Sequence, residues 1–246
     1  MHRPDHGPFA RAPSRPVAGI PAQVAASAFV GLLSMQALRL GGMGGTQAAW
    51  FGVSLLYAAS AALIARQMLR TYPHPRIGGC NAVTLLRAAI TCALLAPLAG
   101  GMAAGWTVAV VASAALMLDG VDGWLARRAR LVSGFGARFD MEVDAAFALT
   151  LALHAWLGSG IGAGVLLLGL VRYVFVAASL VMPWLRGALP HSFRRKLICV
   201  IQLAALIVLQ LPPLPPEAAV LLAWSATGVV ILSFAIDIRW LWRHPA

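Results

Sequence analysis

Five of the eight acidic residues in this 246-residue chain fall between positions 119 and 144. Asp119 and Asp122 are three residues apart, and Asp140 and Asp144 are four apart, so each pair shares one face of a helix. A short loop joins the two helices, so the four carboxylates can converge at one end. Like charges in a partly buried site repel and are costly to desolvate. The spacing therefore predicts a site for hard divalent cations such as Mg²⁺, Mn²⁺ or Ca²⁺.

Small residues and an arginine accompany these carboxylates. Gly123 and Ala126 each follow an aspartate of the first pair by four positions, so they lie on the same side of that helix. Their small side chains leave space for an extended ligand close to the backbone. Gly136, at the start of the next helix, leaves space in the same way. Arg127 offers a guanidinium for a phosphate group. Together these residues indicate phosphoryl transfer from a nucleoside diphosphate held by metal ions.

The competing interpretation is a solvated loop in which the acids pair with nearby arginines, namely Arg127, Arg128, Arg130 and Arg138. Two acids alone would favour that interpretation. Four acids at helical spacing, with glycine and alanine between them, favour the metal site.

The elements that position these residues are expected to be membrane helices. The chain is 60% hydrophobic and 11% charged, whereas soluble domains carry roughly 25% charged residues. This composition excludes an ordinary soluble globule, a disordered chain and a disulfide-stapled module. A spanning helix needs about 20 residues. We predict an all-α, polytopic membrane helix bundle with eight spans, at about 17–40, 47–66, 81–99, 103–126, 139–157, 161–185, 196–212 and 217–239.

The net charge is +11, and the basic residues behind it are distributed along the chain in a way that indicates the membrane topology. The basic residues concentrate on alternate loops and form no stripe on a polar face, which argues against nucleic acid as a partner. The positive-inside rule then places both termini and the acidic cluster on the cytoplasmic side of a membrane, here expected to be a bacterial inner membrane. Residues 1–16 are polar and Pro-rich, so we expect a disordered cytoplasmic tail. The apolar run after them is longer than the core of a signal peptide, which favours a first membrane helix.

The acidic segment resembles the signature of the CDP-alcohol phosphotransferase family, D-x2-D-G-x2-A-R-x8-G-x3-D-x3-D, at every fixed position. Upstream, Asn81, Thr84 and Arg87 resemble the family's Asn-x-x-Thr-x-x-Arg stretch, although Cys80 stands where the family usually has proline. The resemblance implies a six-helix core over residues 77–242, preceded by two additional helices within residues 17–76.

The resemblance also implies the chemistry. Asp119, Asp122 and Asp140 would ligate two ions, Mg²⁺ or Mn²⁺, and Asp144 would contact the second ion and act as general base. A nucleotide site would comprise Asn81, Thr84, Gly123, Ala126, Arg127 and Gly136. The implied reaction moves a phosphatidyl group from CDP-diacylglycerol to a small alcohol and releases CMP. The identity of the alcohol stays open, as does a CDP-alcohol in the role of donor.

Four basic residues outside the motif are candidates for an acceptor pocket: Arg172, Arg194, Arg195 and Lys196. Arg172 interrupts an apolar helix, and intramembrane charges usually face the protein interior. The other three open a helix from the cytoplasmic side, where membrane anchoring is the alternative interpretation. Glu142 lies on another helical face than its neighbouring aspartates and is expected to be a loop-side or neighbouring-helix charge rather than a ligand. His154 is expected to be a buried packing residue with hydrogen bonds.

Two other function classes stay open at this stage. An intramembrane prenyltransferase also uses aspartate-rich metal sites, but its two motifs lie far apart in sequence. An ion-coupled transporter would place carboxylates at the bilayer midplane, whereas these lie near a helix end. Small residues around Gly160 and Gly164 favour close helix packing, which leaves a homodimer open.

Overall fold

The computed structural model describes residues 19–129, 133–187, 189–190 and 192–244, including their side chains except those of Asp122, Trp124, Ala126, Arg127 and Ala129. The described residues form helices and no strands, which confirms the predicted helical bundle. Within these described ranges the eight α-helices are α1 (Ile20–Leu40), α2 (Gln47–Thr71), α3 (Gly78–Ala99), α4 (Trp106–Ala129), α5 (Gly134–Gly158), α6 (Leu166–Val181), α7 (Phe193–Val208) and α8 (Pro216–Arg243). The predicted tail, residues 1–16, lies outside the described residues.

Several helix boundaries differ from the prediction by a few residues, and two of these differences have a clear local reason. α2 continues past Arg66 to Thr71, because no glycine or proline interrupts it before Pro73. α5 begins at Gly134 rather than at residue 139, since the Ser133 hydroxyl caps it by accepting a hydrogen bond from the Gly136 N–H at 3.0 Å. The later aspartates of the cluster consequently lie in the second and third turns of α5.

Five segments of the described chain are long and apolar enough to cross a membrane: α1, α2, α3, Ala163–Val181 and α8. α4 contributes a shorter apolar stretch, Trp106–Val121. Large apolar side chains such as Phe29, Phe51 and Leu221 point outward, as expected of helices that face lipid.

α3 lies at the centre of the bundle and packs against α1, α2, α4 and α5. Ala89, Ala93 and Ala96 are fully buried on it, and their small side chains let neighbouring helices approach closely. His154 of α5 adds a polar connection: its Nδ1 accepts from the Ala104 N–H at 3.1 Å, so its Nε2 donates to the Leu94 carbonyl at 2.7 Å. These bonds confirm the packing role predicted for this histidine.

Glycines allow two close contacts between helices. A methyl group on Gly169 of α6 would lie 2.5 Å from the Leu149 Cα of α5, so these helices are in backbone contact. Gly164 lies against Trp224 of α8 in the same chain, where a methyl group would be 3.0 Å from the indole ring. Gly164 thus serves packing within the bundle, and the homodimer stays a prediction.

Candidate active site

Three carboxylates from two helices meet at one end of the bundle. Asp119 lies near the end of α4, and Asp140 and Asp144 lie one turn apart near the start of α5. One carboxylate oxygen of each lies within 4.8 Å of the others. Asp119, Asp140 and Asp144 therefore converge as their helical spacing predicts. The backbone places Asp122 three residues further along α4, and its side chain lies outside the described part of the structure.

Arg87 of α3 lies among these carboxylates. Its guanidinium is 1% exposed, and one nitrogen, Nη1, is 2.9 Å from Asp119 Oδ1 and 2.6 Å from Asp140 Oδ1. Its Nη2 donates to Asp144 Oδ1, and its Nε donates to the Ala115 carbonyl at 3.3 Å. Sequence reasoning placed Arg87 in the upstream stretch without giving it a role. The available signal was the three-residue spacing from Asn81 and Thr84, which puts all three on neighbouring positions of one helix face.

The donor set fits a divalent metal ion. All three groups are carboxylates, which are the hard oxygen ligands that Mg²⁺ and Mn²⁺ prefer. Their combined negative charge exceeds what one guanidinium balances, so the site still attracts cations. Asp140 is 37% exposed, which leaves an approach from solvent.

α7 closes another side of the carboxylate cluster. The Cys199 thiol donates to Asp144 Oδ2 at 3.8 Å, a distance within reach of a sulfur hydrogen bond. Lys196 lies one turn earlier on the same helix, where its positive charge can act on Asp140 without an ion pair between the two described side chains. Of the four basic candidates, Lys196 is the one whose charge acts on the acidic cluster.

The other basic candidates bind different partners. Arg194 donates to the Ser233 hydroxyl at 2.6 Å and to Asp237, and so joins α7 to α8. Arg195 is 3.5 Å from the same Asp237 carboxylate and donates to the Pro190 carbonyl. Asp237 is buried, and the sequence analysis assigned it no role. The signal that was available is an acid within the apolar run of α8, four residues after Ser233.

Arg172 lies on the far side of α5 from the carboxylate cluster. It forms an ion pair with Glu142, which sits two residues from both Asp140 and Asp144 and therefore on the opposite helix face. This pair confirms that Glu142 is a charge facing a neighbouring helix, here α6. It also shows that the structure does not bring Arg172 to the carboxylates.

The upstream candidates are buried beneath the start of α5. The Asn81 amide donates to the Tyr72 hydroxyl at 3.0 Å and to the Ile77 carbonyl at 2.7 Å, and Thr84 donates to the Cys80 carbonyl at 3.0 Å. Burial raises the pKa of Tyr72 to about 12, so its hydroxyl stays protonated and donates to the Ile77 carbonyl.

Gly136 connects the upstream candidates to α5. A methyl group on it would lie 3.2 Å from the Asn81 Oδ1, so the helix start rests on that amide. Gly123 lies on α4 beside the acids and is partly exposed, whereas the side chains of Ala126 and Arg127 are outside the described residues. The structure thus groups Asn81 with Gly136, keeps Thr84 on α3, and leaves Gly123, Ala126 and Arg127 on α4.

Comparison with known proteins supports the resemblance. The family model for CDP-alcohol phosphatidyltransferase matches residues 78–234, which run from the start of α3 into α8. No curated protein and no solved structure matches the chain. The matched segment covers more than half of the sequence and contains the whole carboxylate cluster. With its apolar helices and this match, the chain belongs to the CDP-alcohol phosphatidyltransferase family of integral membrane transferases in phospholipid biosynthesis.

Proposed function

We propose that the protein transfers a phosphatidyl group from CDP-diacylglycerol to a small alcohol and releases CMP. The observation that carries this proposal is the convergence of Asp119, Asp140 and Asp144, with one oxygen of each within 4.8 Å of the others. Family membership supports a CDP-linked donor. The alternation of basic loops supports an active site on the cytoplasmic side of a bacterial inner membrane.

The metal ligands in this proposal are Asp119, Asp122, Asp140 and Asp144, which together would hold two Mg²⁺ or Mn²⁺ ions. When bound, the ions supply positive charge that offsets the charge of the diphosphate and of the leaving CMP. Arg87 lies among the same carboxylates and keeps them oriented toward a common centre.

The nucleotide would lie along the small residues of α4. Gly123 and Ala126 leave room beside the acids, and Arg127 would contact the diphosphate. Asn81 and Thr84 are buried, and Asn81 contributes by supporting the start of α5 at Gly136. This arrangement aligns the donor phosphorus with the carboxylates of α5.

Asp144 is the proposed general base. The acceptor hydroxyl gives its proton to the Asp144 carboxylate as its oxygen attacks the phosphorus that carries the lipid. A new oxygen–phosphorus bond forms, the bond from that phosphorus to the CMP oxygen breaks, and its electron pair leaves with CMP. The incoming and leaving oxygens must be in line, so positioning supplies much of the rate.

The acceptor would enter between α5 and α7. Asp144 Oδ2 faces Cys199 on α7, and Lys196 lies one turn before that cysteine. Lys196 therefore supplies a positive charge where an anionic acceptor would bind. Arg195 stands beside it, while Arg194 and Arg172 contribute to this pocket indirectly, by holding α7 and α6 in place through their ion pairs.

The test is CMP release by the purified protein in detergent, with CDP-diacylglycerol, a panel of alcohols, and Mn²⁺ or Mg²⁺. We expect release that requires both the donor and one alcohol and that stops with a chelator. Asp144→Asn should abolish transfer while largely preserving CDP-diacylglycerol binding. Glu142→Gln is the matched control, because Glu142 lies on the same helix but on the opposite face.

Several outcomes would contradict the proposal. Full activity of Asp144→Asn would exclude the base assignment. CMP release that needs a CDP-alcohol and diacylglycerol would reverse the roles of donor and acceptor. Prenyl transfer or ion flux without CMP release would overturn the proposed reaction itself.

A further inference from the structure

A cavity of about 530 Å³ lies away from the carboxylate cluster, between α2 and α5. Both helices pack against α3, which forms the floor of this groove. Its volume falls within the roughly 300–1,000 Å³ typical of small-molecule sites. Consecutive helix residues point about 100° apart, so Glu142 in the groove wall points away from Asp140 and Asp144. The groove is therefore a separate site.

The mouth of the groove is polar. Gln67 near the end of α2 and Arg138 near the start of α5 line it, and both side chains are exposed. These two helix ends lie at the same end of the bundle, because the rings of Tyr72 and Phe135 just beyond them are 5.8 Å apart. The mouth thus offers an amide and a guanidinium near the expected membrane interface.

The deeper part of the groove is apolar. Leu63 and Ala146 line it, and the step from Arg138 to Ala146 along α5 spans about 12 Å. The hydroxyl groups at this depth are engaged: Ser60 donates to a backbone carbonyl at 2.8 Å and Thr91 to another at 2.9 Å. The groove therefore has a polar mouth and a hydrocarbon interior.

The charges around the groove favour an anionic headgroup. Glu142 is the acid in the lining, and Arg172 of α6 pairs with it. Arg138 makes no hydrogen bond or ion pair with the described residues, so its charge is available at the mouth. A guanidinium binds phosphate oxygens in a fixed, bidentate geometry.

We propose that this groove binds one membrane phospholipid, with its phosphate at Arg138 and Gln67 and an acyl chain along Leu63 and Ala146. α2 lies outside the segment that the family model matches. The proposal therefore gives one of the additional helices a role, as one wall of a lipid site. It does not depend on the transfer reaction, because the lipid is bound and not consumed.

The test is native mass spectrometry of the full chain, released from nanodiscs of phosphatidylglycerol and phosphatidylethanolamine. We expect one retained phospholipid per chain. Arg138→Gln should weaken retention by about fivefold, the effect of one basic residue near an anionic lipid surface. Ala146→Phe should remove the bound lipid by filling the interior of the groove.

Two variants serve as matched controls. Arg70→Gln is matched to Arg138→Gln, because it removes an exposed arginine near the end of α2 that also carries Gln67. Ala62→Phe is matched to Ala146→Phe, because it adds a phenyl ring on α2. Neither position lines the groove. Both should retain lipid like the wild type. Equal retention by Arg138→Gln and Arg70→Gln would overturn the proposal, as would a wild-type chain that leaves the nanodisc without a bound phospholipid. The Arg138 side chain is exposed, so Arg138→Gln is expected to fold. Lipid retention by this variant therefore tests the lipid site even if Ala146→Phe does not fold.

Discussion

The position of Arg87 makes a prediction about stability that is separate from activity. Replacing it by glutamine leaves Asp119, Asp140 and Asp144 without their shared guanidinium. Breaking a buried ion pair costs about 3–5 kcal/mol. Asp140 is 37% exposed, so solvent screens part of the repulsion and we expect the lower end of that range.

The assay is thermal unfolding of the purified protein in detergent, with a chelator and then with saturating Mn²⁺. At about 2–4 °C per kcal/mol for a chain of this size, a loss of about 3 kcal/mol lowers the Tm by roughly 6–12 °C. This deficit should appear in the chelator and shrink with Mn²⁺, because a ligand that binds the folded state stabilises it. A divalent ion would then supply the positive charge that the variant lacks.

Arg172→Gln is the matched control for this experiment. It also breaks an arginine–carboxylate pair on α5, but the Glu142 side chain is 57% exposed. Exposed pairs contribute about 0–1 kcal/mol, so its Tm should fall by a few degrees at most and should not respond to Mn²⁺. An Arg87→Gln deficit no larger than that of Arg172→Gln would refute the buried-cluster reasoning. A large deficit that is equal in chelator and Mn²⁺ would refute the metal-ligand assignment.

Three further predictions concern packing and positioning. Gly169→Ala should destabilise the protein by about 1–3 kcal/mol, seen as a lower Tm, because the new methyl group meets the Leu149 backbone; an unchanged Tm would contradict the close contact. Asp237→Asn should raise the KM for the acceptor more than that for the donor, since it releases Arg194 and with it the start of α7; equal changes in both would argue for a purely structural role. Tyr72→Phe should cost about 1 kcal/mol of stability through the lost hydrogen bond to the Ile77 carbonyl, again measured by Tm.

The sequence was sufficient to predict the carboxylate cluster because helical spacing is a local property. Residues three or four apart must share a face, and a short loop must bring the ends of two helices together. The same helical spacing predicted that Glu142 lies on another face of α5 than Asp140 and Asp144. The number of helices followed from the apolar runs between glycine and proline breaks.

The position of Arg87 could not be predicted in the same way. Its spacing from Asn81 and Thr84 indicated a shared face of α3, but not which helices that face would meet. That depends on the central place of α3, which is set by the packing of small buried residues such as Ala89 and Ala93. The partner of Arg194 was missed for a related reason, since Asp237 is 43 residues away and only the folded bundle brings the two together.

α5 carries acidic residues on two opposite faces. The rotation of the helix about its own axis decides which neighbouring residues each face contacts. On one face, Asp140 and Asp144 meet Arg87 at a site that can hold divalent cations. On the other, Glu142 pairs with Arg172 beside the lipid groove. A one-residue shift in the register of α5 would turn each aspartate by about 100° and remove it from Arg87. The Ser133 cap fixes where α5 begins, and the backbone contact at Gly169 fixes how α5 lies against α6. These two features therefore determine which acids reach the cation site and which acid stays with α6.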